Sequence, residues 1–301
     1  MELSRIGFGC WQLGGHGWGN VSEQEMVYAV HKAIDLGINL FDTAPVYGLG
    51  HSEELLGKTL GAKRKDVIIA TKLGLTWKKD GTFRKFNDCS QRNIEREINM
   101  SLKRLQTDYV DLYQIHWPDP NTPIEETFFA LEKLRQEGKV RHFGCCNFNL
   151  ELLKKASKYG QIETLQLRYN LIERRAERAL MPFCISNGIS VISYSSLADG
   201  LLSGKYTSNS IFGTDDHRSH DQYFTKESLS ENMIFVEKVK LVAKHLSKTP
   251  SQIALRWVLE NPAVTTALVG IKSVSQIEEN SIASNFALSE SDFEFLSGTE
   301  T

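Results

Sequence analysis

The sequence predicts an α/β protein folded as a (β/α)₈ TIM barrel. Eight short runs rich in β-branched residues alternate with eight helical segments, which is the element count of that barrel. Several runs are apolar on both faces, as expected of strands in a parallel sheet that helices cover. The chain has 301 residues, a length at which α/β barrels commonly form one unit. We therefore expect a single domain over residues 1–301.

The strand candidates are spaced so that a helix fits between each successive pair. They are RIGFGCW (5–11), INLFDTA (38–44), VIIATK (67–72), YVDLYQIH (109–116), VRHFGCCN (140–147), TLQLRYN (164–170), SVISYSSL (190–197) and TALVGIK (266–272). The rival fold is a doubly wound sheet that binds a dinucleotide, which shows G-x-G-x-x-G after its first strand. Here the first strand leads into GGHGWGN (14–20), which does not match that pattern. The barrel is the favoured fold.

Capping motifs predict where several helices begin. A Ser or Thr followed three residues later by Glu or Gln forms a capping box, in which each side chain bonds the other residue's backbone N–H. Proline is favoured at the first helical position, and single Ser or Asn residues cap other helices. The predicted boxes pair Ser22 with Glu25, Thr122 with Glu125, and Thr249 with Gln252. Pro123 and Pro250 stand at the predicted first helical position of the second and third of these helices. The predicted single caps are Ser90 and Asn149.

One long segment departs from the regular alternation. Residues 198–229 are polar and irregular, and a helical stretch over 230–247 follows. Long loops in compact domains are usually functional, and this one follows strand seven at the end of the barrel where active sites form. We expect a lid or substrate loop. Its cluster TDDHRSHDQ (214–222) contains two histidines, but it lacks a zinc-ligand pattern; we interpret it as a solvated loop and expect no metal.

Composition excludes several classes of protein. The formal net charge of −2 argues against a nucleic-acid binder, which carries a basic excess. No apolar run of about 18 residues predicts a membrane helix, and MELSRIGFGCW lacks the pattern of a secretory signal. The cysteines Cys10, Cys89, Cys145, Cys146 and Cys184 match neither a disulfide scaffold nor a zinc site. We expect a cytoplasmic protein with reduced thiols.

Four ionisable residues follow three consecutive predicted strands. Strand two ends at Asp42 with Tyr47 in the loop after it, strand three ends at Lys72, and strand four ends at His116. In a barrel these strand ends converge on one site. An ammonium beside a tyrosine stabilises the phenolate and lowers the pKa of the phenol, and a carboxylate balances the ammonium. Taken singly, Asp42 could cap a turn, Lys72 could be solvated and His116 could be a core histidine.

Together, the four residues suit one chemical task. A neutral histidine orients a carbonyl group while the tyrosine protonates its oxygen. No nucleophile with an adjacent base is evident in the sequence, so the attacking group is expected to be a hydride from a bound cofactor.

These residues lie in motifs that resemble the aldo-keto reductases over about residues 5–290. The resemblance is closest to bacterial sugar and polyol members and to potassium-channel β subunits. It implies a barrel, although the usual N-terminal β-hairpin is largely missing here. The motifs are FDTAPVYG (41–48), SEELLG (52–57), ATK (70–72), IH (115–116), CNF (146–148), YN (169–170), YSSLADGLLSGK (194–205) and VGIKSVSQIEEN (269–280).

The resemblance implies roles for individual residues. Tyr47 is the general acid/base, Lys72 and Asp42 tune it, and His116 orients the substrate. Trp11 and Trp117, with Tyr47 and His116, are expected to contact substrate. Asn147 and Gln166 are expected to bind the nicotinamide carboxamide. Tyr194 is expected to stack on the nicotinamide ring. The remaining implied cofactor-binding residues are Cys146, Ser195, Leu197, Gly200, Leu201, Lys205, Gly270, Lys272, Ser273, Gln276, Glu279 and Asn280.

The last motif bears on the choice of cofactor. Ser273 and Gln276 are expected to form a capping box, and a helix N-terminus attracts phosphate. With Lys272 this favours NADP(H), while the single strong base in GIKSVSQ leaves NAD(H) possible as well. Cys146 replaces the usual serine, and a thiol is a weak hydrogen-bond partner.

The sequence therefore predicts an NADP-dependent oxidoreductase that interconverts a small-molecule carbonyl compound, such as an aldehyde or ketone of a sugar or polyol, and an alcohol. We expect no nucleic-acid or membrane partner, and the oligomeric state is left open. The alternative is a cofactor-sensing regulatory subunit with residual reductase activity, like the channel β subunits that the motifs also resemble.

Overall fold

The computed structural model describes residues 1–15, 17–18, 21–79 and 83–298, so His16, Gly19 and Asn20 of the GGHGWGN stretch lie outside it. Eight parallel strands close into a barrel in the order β1-β10-β9-β8-β7-β6-β3-β2. This confirms the predicted fold class and all eight predicted strands. The described residues contain ten strands: β1 Ile6–Gly9, β2 Leu40–Asp42, β3 Ile68–Leu73, β4 Leu75–Lys79, β5 Phe83–Asn87, β6 Val110–Ile115, β7 Val140–Cys146, β8 Thr164–Arg168, β9 Ser190–Tyr194 and β10 Val264–Gly270.

Strands β4 and β5 form an antiparallel hairpin outside the barrel that the sequence analysis did not predict. They pair from Leu75 opposite Asn87 to Lys79 opposite Phe83. The sequence does carry a signal for it, because an Asp-Gly dipeptide at 80–81 separates two short runs in which apolar and polar residues mix. The hairpin follows directly on β3, at the end of the barrel that carries the polar residues.

Helices cover the outside of the barrel. Among the described residues, no helix combines the length and apolar character needed to cross a bilayer. They are α1 Glu23–Asp35, α2 His51–Leu60, α3 Gln91–Leu105, α4 Ile124–Gln136, α5 Leu150–Ala156, α6 Leu180–Ser186, α7 Lys226–Leu246, α8 Pro250–Glu260, α9 Val274–Ser281 and α10 Glu290–Ser297.

The predicted N-caps at Ser22, Ser90, Asn149 and Thr249 are confirmed, but the box of Ser22 with Glu25 is not reciprocal, because Glu25 Oε1 accepts from the Val274 N–H. The hydroxyl of Thr249 and the side chain of Gln252 form the full capping box, and the side chains of Ser90 and Asn149 accept bonds at the starts of α3 and α5. The box predicted at Thr122 is wrong. Its hydroxyl instead donates to Asp119 Oδ2 at 2.7 Å, because α4 begins only after Pro123 and has no side-chain cap.

Alternate residues of each strand point into the barrel and divide its interior into two layers. The lower layer is apolar and contains Leu40, Ala70, Leu112, Ile192 and Leu268, with Leu3 packed against it. Two residues further along β2, β3 and β6, the inward positions are polar. No strand precedes β1 in the described residues 1–5.

The long loop between β9 and α7, residues 195–225, folds against the barrel mouth. Three 3₁₀ turns shape it, Ala198–Ser203, His217–His220 and Gln222–Phe224. In its 214–222 part, Thr214, Asp215, Ser219, His220 and Gln222 are exposed as predicted, but the prediction of a solvated segment is wrong for Asp216, Arg218 and Asp221, which are buried. Their burial follows from internal ion pairing and from a bond of 2.8 Å between the His217 N–H and the Gly17 carbonyl. We call this segment the β9–α7 loop.

Candidate active site

A buried ion pair lies in the polar layer at the barrel mouth. Lys72 Nζ, at the end of β3, donates to Asp42 Oδ1 at 2.6 Å and to the Thr43 carbonyl at 3.0 Å. The other oxygen, Asp42 Oδ2, accepts from Gln166 Nε2 at 2.8 Å and from Gln114 Nε2 at 3.2 Å. Both charges are therefore compensated by close partners, which is the condition for burying them.

Tyr47 lies in the tight turn after β2. Its successor Gly48 has φ +59°, a conformation that favours glycine. A Cβ atom at Gly48 would lie 2.3 Å from the Gly14 carbonyl oxygen, so this turn is pressed against the turn that follows β1. The phenol ring points into the barrel mouth, with Lys72 Nζ 5.3 Å from the ring centroid.

Two further rings frame the tyrosine. The His116 ring lies edge-on, with centroids 6.1 Å apart, and the Trp11 ring stacks on Tyr47 at 5.9 Å and 19°. Trp117, directly after His116, is 42% exposed and lines the same cavity. The structure thus brings the residues predicted at the ends of strands two, three and four to one place.

The environment sets the protonation states of the three groups. Burial raises the pKa of Tyr47 above its ordinary value, and the opposing influence of Lys72 is smaller. The sequence predicted that Lys72 lowers the pKa of Tyr47 below its ordinary value. That prediction is wrong, because the net shift of this pKa is upward. For Lys72, burial acts to lower the pKa, but Asp42 and Tyr47 together raise it. Burial, with Lys72 and Lys85 adding to it, lowers the pKa of His116 well below its ordinary value, so the imidazole is neutral.

A hydrogen-bonded chain continues around the mouth from β6 to β9. The Tyr194 hydroxyl donates to Asn147 Oδ1 at 2.8 Å, and Asn147 Nδ2 donates to the His116 carbonyl at 3.1 Å. Asn147 adopts a left-handed φ of +61°, which asparagine tolerates better than most residues. Cys146 is buried, and burial raises the pKa of its thiol to about 12; it stays neutral.

Lys205, Arg218 and Lys272 line the cavity near the start of α9, and Asp216 pairs with Arg218. Burial lowers the pKa of Lys272, and the charges of Arg218 and Lys205 lower it further. The hydroxyl of Ser273 accepts from the Gln276 N–H at 3.3 Å, as predicted, but the Gln276 side chain bonds the Lys272 N–H at 2.8 Å and the box is not reciprocal. Three clustered cations beside a helix N-terminus form a site suited to phosphate.

The cavity that contains these groups has a volume of about 1370 Å³. Four of the predicted site residues do not line it: Lys72 and Cys146 lie beneath its surface, Ser273 lies beside it, and Leu201 is fully buried in the core. The predicted site residues that line the cavity are Trp11, Asp42, Tyr47, His116, Trp117, Asn147, Gln166, Tyr194, Ser195, Leu197, Gly200, Lys205, Gly270, Lys272, Gln276, Glu279 and Asn280.

Other lining residues were not among the predicted site residues. Leu75 and Lys85 come from the β4–β5 hairpin, and Gln12 and Trp18 come from the turn after β1. Arg218 belongs to the β9–α7 loop. The sequence of this loop has no periodic pattern from which the direction of the Arg218 side chain could be predicted. A sequence signal was available only for the hairpin, in its Asp-Gly dipeptide.

A second polar cluster lies at the edge of the cavity. Asp199, His217 and Asp221 each direct one ligand-type atom to a common point, and these atoms lie within 4.8 Å of one another. The His217 ring also contacts Trp11 edge-on, with centroids 4.8 Å apart. Arg168 Nη1, at the end of β8, lies 3.5 Å from Asp221 Oδ2.

Comparison with known proteins gives a consistent result. The model of the "Aldo/keto reductase family" matches residues 5–299. The aldo-keto reductase YhdN of Bacillus subtilis (strain 168) is 41% identical over 295 residues, covering 97% of this chain and 88% of that protein. The NADH-specific methylglyoxal reductase of Escherichia coli (strain K12) is 34% identical over 305 residues, with 97% and 93% covered.

The fold comparison agrees. The structure of the glycerol dehydrogenase AKR11B4 from Gluconobacter oxydans superposes with a TM-score of 0.90 at 36% identity. The superposition covers 98% of this chain and 90% of that one. The similarity therefore spans the barrel and the elements that carry the polar site.

Proposed function

The chain belongs to the aldo/keto reductase family of oxidoreductases, and from this membership we propose that it interconverts a carbonyl compound and an alcohol with a nicotinamide dinucleotide, NADP(H) in preference to NAD(H). The observation that carries the proposal is the buried Lys72–Asp42 pair beneath the ring of Tyr47. We further propose that residues 1–301 act as one domain and that the protein works in the cytoplasm.

The residues present fit a dinucleotide. The cavity of about 1370 Å³ exceeds the roughly 300–1,000 Å³ of ordinary small-molecule sites. The indole Nε1 of Trp18, which borders it, is a buried donor without a hydrogen-bond partner among the described residues. Lys205, Arg218 and Lys272 supply charge for phosphate groups, and Asn147, Gln166 and Tyr194 are the proposed contacts of the nicotinamide. A bound reduced nicotinamide supplies the hydride.

The chain's own residues manage the proton. At neutral pH the raised pKa of Tyr47 keeps its hydroxyl protonated, so it can give a proton to the carbonyl oxygen of a substrate. The ammonium of Lys72, which stays charged because Asp42 balances it, stabilises the phenolate that remains. Charge that develops in the transition state is stabilised by groups already in position.

His116 and the aromatic rings position the substrate. Because its imidazole is neutral, His116 can donate a hydrogen bond to the carbonyl oxygen without competing with Tyr47 as an acid. The ring of Trp11 stacks on Tyr47 and shields one face of the phenol from water, and the half-exposed ring of Trp117 lines the same cavity. Exclusion of water strengthens the electrostatic contribution of Lys72.

The cationic cluster favours NADP(H). The adenosine phosphate that distinguishes NADP from NAD needs positive groups, and the sequence alone indicated one, Lys272. The structure adds Lys205 and Arg218 beside it. The E. coli relative is named as NADH-specific, so NAD(H) is proposed as a weaker second cofactor.

For the substrate we propose a small, polar aldehyde or ketone, such as that of a short polyol or sugar. The named relatives are a glycerol dehydrogenase and a methylglyoxal reductase, and both names refer to small, oxygen-rich molecules. The polar walls contributed by Lys85 and the β9–α7 loop support the same class.

Oxidation of NADPH followed at 340 nm tests the function. The wild type is expected to reduce glyceraldehyde and methylglyoxal, and Tyr47→Phe is expected to lose about 10²–10⁴-fold in kcat/KM while it still binds NADPH. Tyr28→Phe is the matched control, because Tyr28 is 56% exposed on α1 and away from the cavity. Full activity of Tyr47→Phe, or tight NADPH binding without turnover of any carbonyl compound in a broad panel, contradicts the proposal.

A further inference from the structure

The cluster of Asp199, His217 and Asp221 has the arrangement of a cation site. His217 Nε2 lies 3.9 Å from Asp199 Oδ2 and 3.6 Å from Asp221 Oδ2. Zinc bonds to imidazole nitrogen and carboxylate oxygen are about 2.0–2.2 Å long, so tetrahedral ligand atoms lie roughly 3.4 Å apart. The two separations from His217 Nε2 exceed that value by about 0.2 and 0.5 Å, and the two carboxylate oxygens lie within 4.8 Å of each other.

The Oδ1 oxygen of each carboxylate already accepts a hydrogen bond from the protein. Asp199 Oδ1 accepts from the Ser195 hydroxyl at 2.9 Å, and Asp221 Oδ1 accepts from the Tyr223 N–H at 2.8 Å. These bonds turn the two Oδ2 atoms toward His217. Metal ligands in proteins are usually oriented by such outer contacts.

The Oδ2 oxygen of Asp199 gives independent evidence for a bound cation. The Asp199 side chain is 8% exposed, and its Oδ2 has no hydrogen-bond partner among the described residues. A buried carboxylate oxygen left without a partner is costly.

We propose that Asp199, His217 and Asp221 bind a divalent transition-metal ion of the zinc type through Oδ2, Nε2 and Oδ2. Two oxygen ligands and one nitrogen ligand suit Zn²⁺, and water completes its coordination. The site is separate from the reacting groups around Tyr47 and does not depend on the proposed oxidoreductase function.

Arg168 is the nearest competing cation. Its Nη1 lies 3.5 Å from Asp221 Oδ2 and 4.0 Å from Asp199 Oδ2, long for charged contacts, which are usually about 2.7–2.9 Å. Its guanidinium is also within 5.2 Å of the Tyr223 ring centroid. Arg168 therefore makes one long hydrogen bond to Asp221 Oδ2, a contact that zinc has to displace and that limits the affinity of the site.

The ion joins two parts of the β9–α7 loop. Asp199 lies in the turn Ala198–Ser203, while His217 and Asp221 lie in the turns that close over Trp11. A shared ligand set restrains the second part against the first.

Isothermal titration calorimetry of the full chain with zinc chloride, without nucleotide, tests the site. We expect one zinc ion per chain, with affinity at least about tenfold weaker in His217→Gln and in Asp199→Asn. Asparagine tolerates the φ of +54° at position 199 and retains an acceptor for Ser195. The matched control is His220→Gln, since His220 is exposed in the same loop outside the cluster; its affinity should equal that of the wild type.

Cobalt(II) provides a second measurement. Substitution by Co²⁺ should give visible absorption bands that disappear in His217→Gln. All five cysteines are buried, so thiolate ligands should not contribute. The proposal is overturned if the wild type binds no zinc below about 100 µM, or if binding persists unchanged in both variants, which would place the metal at other surface groups such as His51 and Glu23.

Discussion

The ammonium of Lys72 and the carboxylate of Asp42 lie 2.6 Å apart, with side chains only 1% and 5% exposed. This pair connects the ends of β2 and β3 beneath the phenol of Tyr47. A buried pair of this kind contributes little net stability, because desolvation offsets the attraction, but loss of one partner leaves an uncompensated charge. The pair can therefore be tested for function and for stability separately.

Replacement of Lys72 by Met should lower kcat/KM by about 10²–10⁴-fold, since Tyr47 loses the charge that stabilises its phenolate. It should also lower the free energy of unfolding by about 3–5 kcal/mol, because Asp42 is left buried without its partner. The double variant Lys72→Met/Asp42→Leu should recover stability in urea denaturation but not activity. Recovery of both, or loss of neither, would show that the pair does not act on Tyr47.

Glu97, on α3, should make stability depend on pH. Burial raises its pKa to about 7, although Glu97 Oε2 accepts from the Gly74 N–H at 2.7 Å. The folded state thus holds a proton that the unfolded state has released. The stability from this group is fully present below its ordinary pKa of about 4.3 and is lost as pH rises through 7.

The variant Glu97→Gln removes this titration. Relative to the wild type, its free energy of unfolding should increase by up to about 3 kcal/mol between pH 5 and pH 8. Urea denaturation at both pH values measures the difference. A wild-type-to-variant difference that is the same at pH 5 and pH 8 contradicts the raised pKa.

Lys272→Met should affect the KM for NADPH more than the KM for NADH. Loss of one cation from the cluster with Lys205 and Arg218 should raise KM for NADPH by about 10-fold, and change KM for NADH by less than about twofold, because only NADPH carries the additional phosphate. Initial rates with each nucleotide give the comparison, and NADH serves as the internal control. Equal effects on both cofactors would show that Lys272 does not contact the distinguishing phosphate.

Gly48→Ala should displace Tyr47. The added Cβ meets the Gly14 oxygen at 2.3 Å at a φ of +59°, and we expect a loss of about 1–3 kcal/mol in stability together with reduced kcat. Gly37→Ala is a matched control, because Gly37 has φ +78° with nothing within 4 Å of the new Cβ. It imposes similar backbone strain away from the site, so stability should fall while activity is retained. Equal activity in the two variants would contradict the positioning role of Gly48.

The barrel could be predicted from the sequence because its strands are marked locally. Runs such as VIIATK at 67–72 and YVDLYQIH at 109–116 combine β-branched residues with polar groups at their ends, and parallel topology then brings those ends together. The positions of Asp42, Lys72 and His116 follow from that topology without further information.

The remaining features depend on contacts that no local pattern records. Arg218 joins Lys272 through a loop that has no periodicity, and its burial depends on the pairing with Asp216. The net pKa of Tyr47 could not be predicted either, since it is set by the balance of burial against the charge of Lys72. The capping box at Thr122 was misassigned because Asp119, an equally good partner, precedes it by three residues.

The hydrogen bond from Gln166 to Asp42 spans 124 positions of the chain. A contact of this separation carries a large loop-closure cost, which is met only after neighbouring strands have assembled. We expect the polar layer that holds Tyr47 and Lys72 in place to form only when these distant strands have come together in the barrel. Contacts that form after the folding transition state slow unfolding more than they speed folding, so we expect the site to stay ordered for as long as the barrel stays closed.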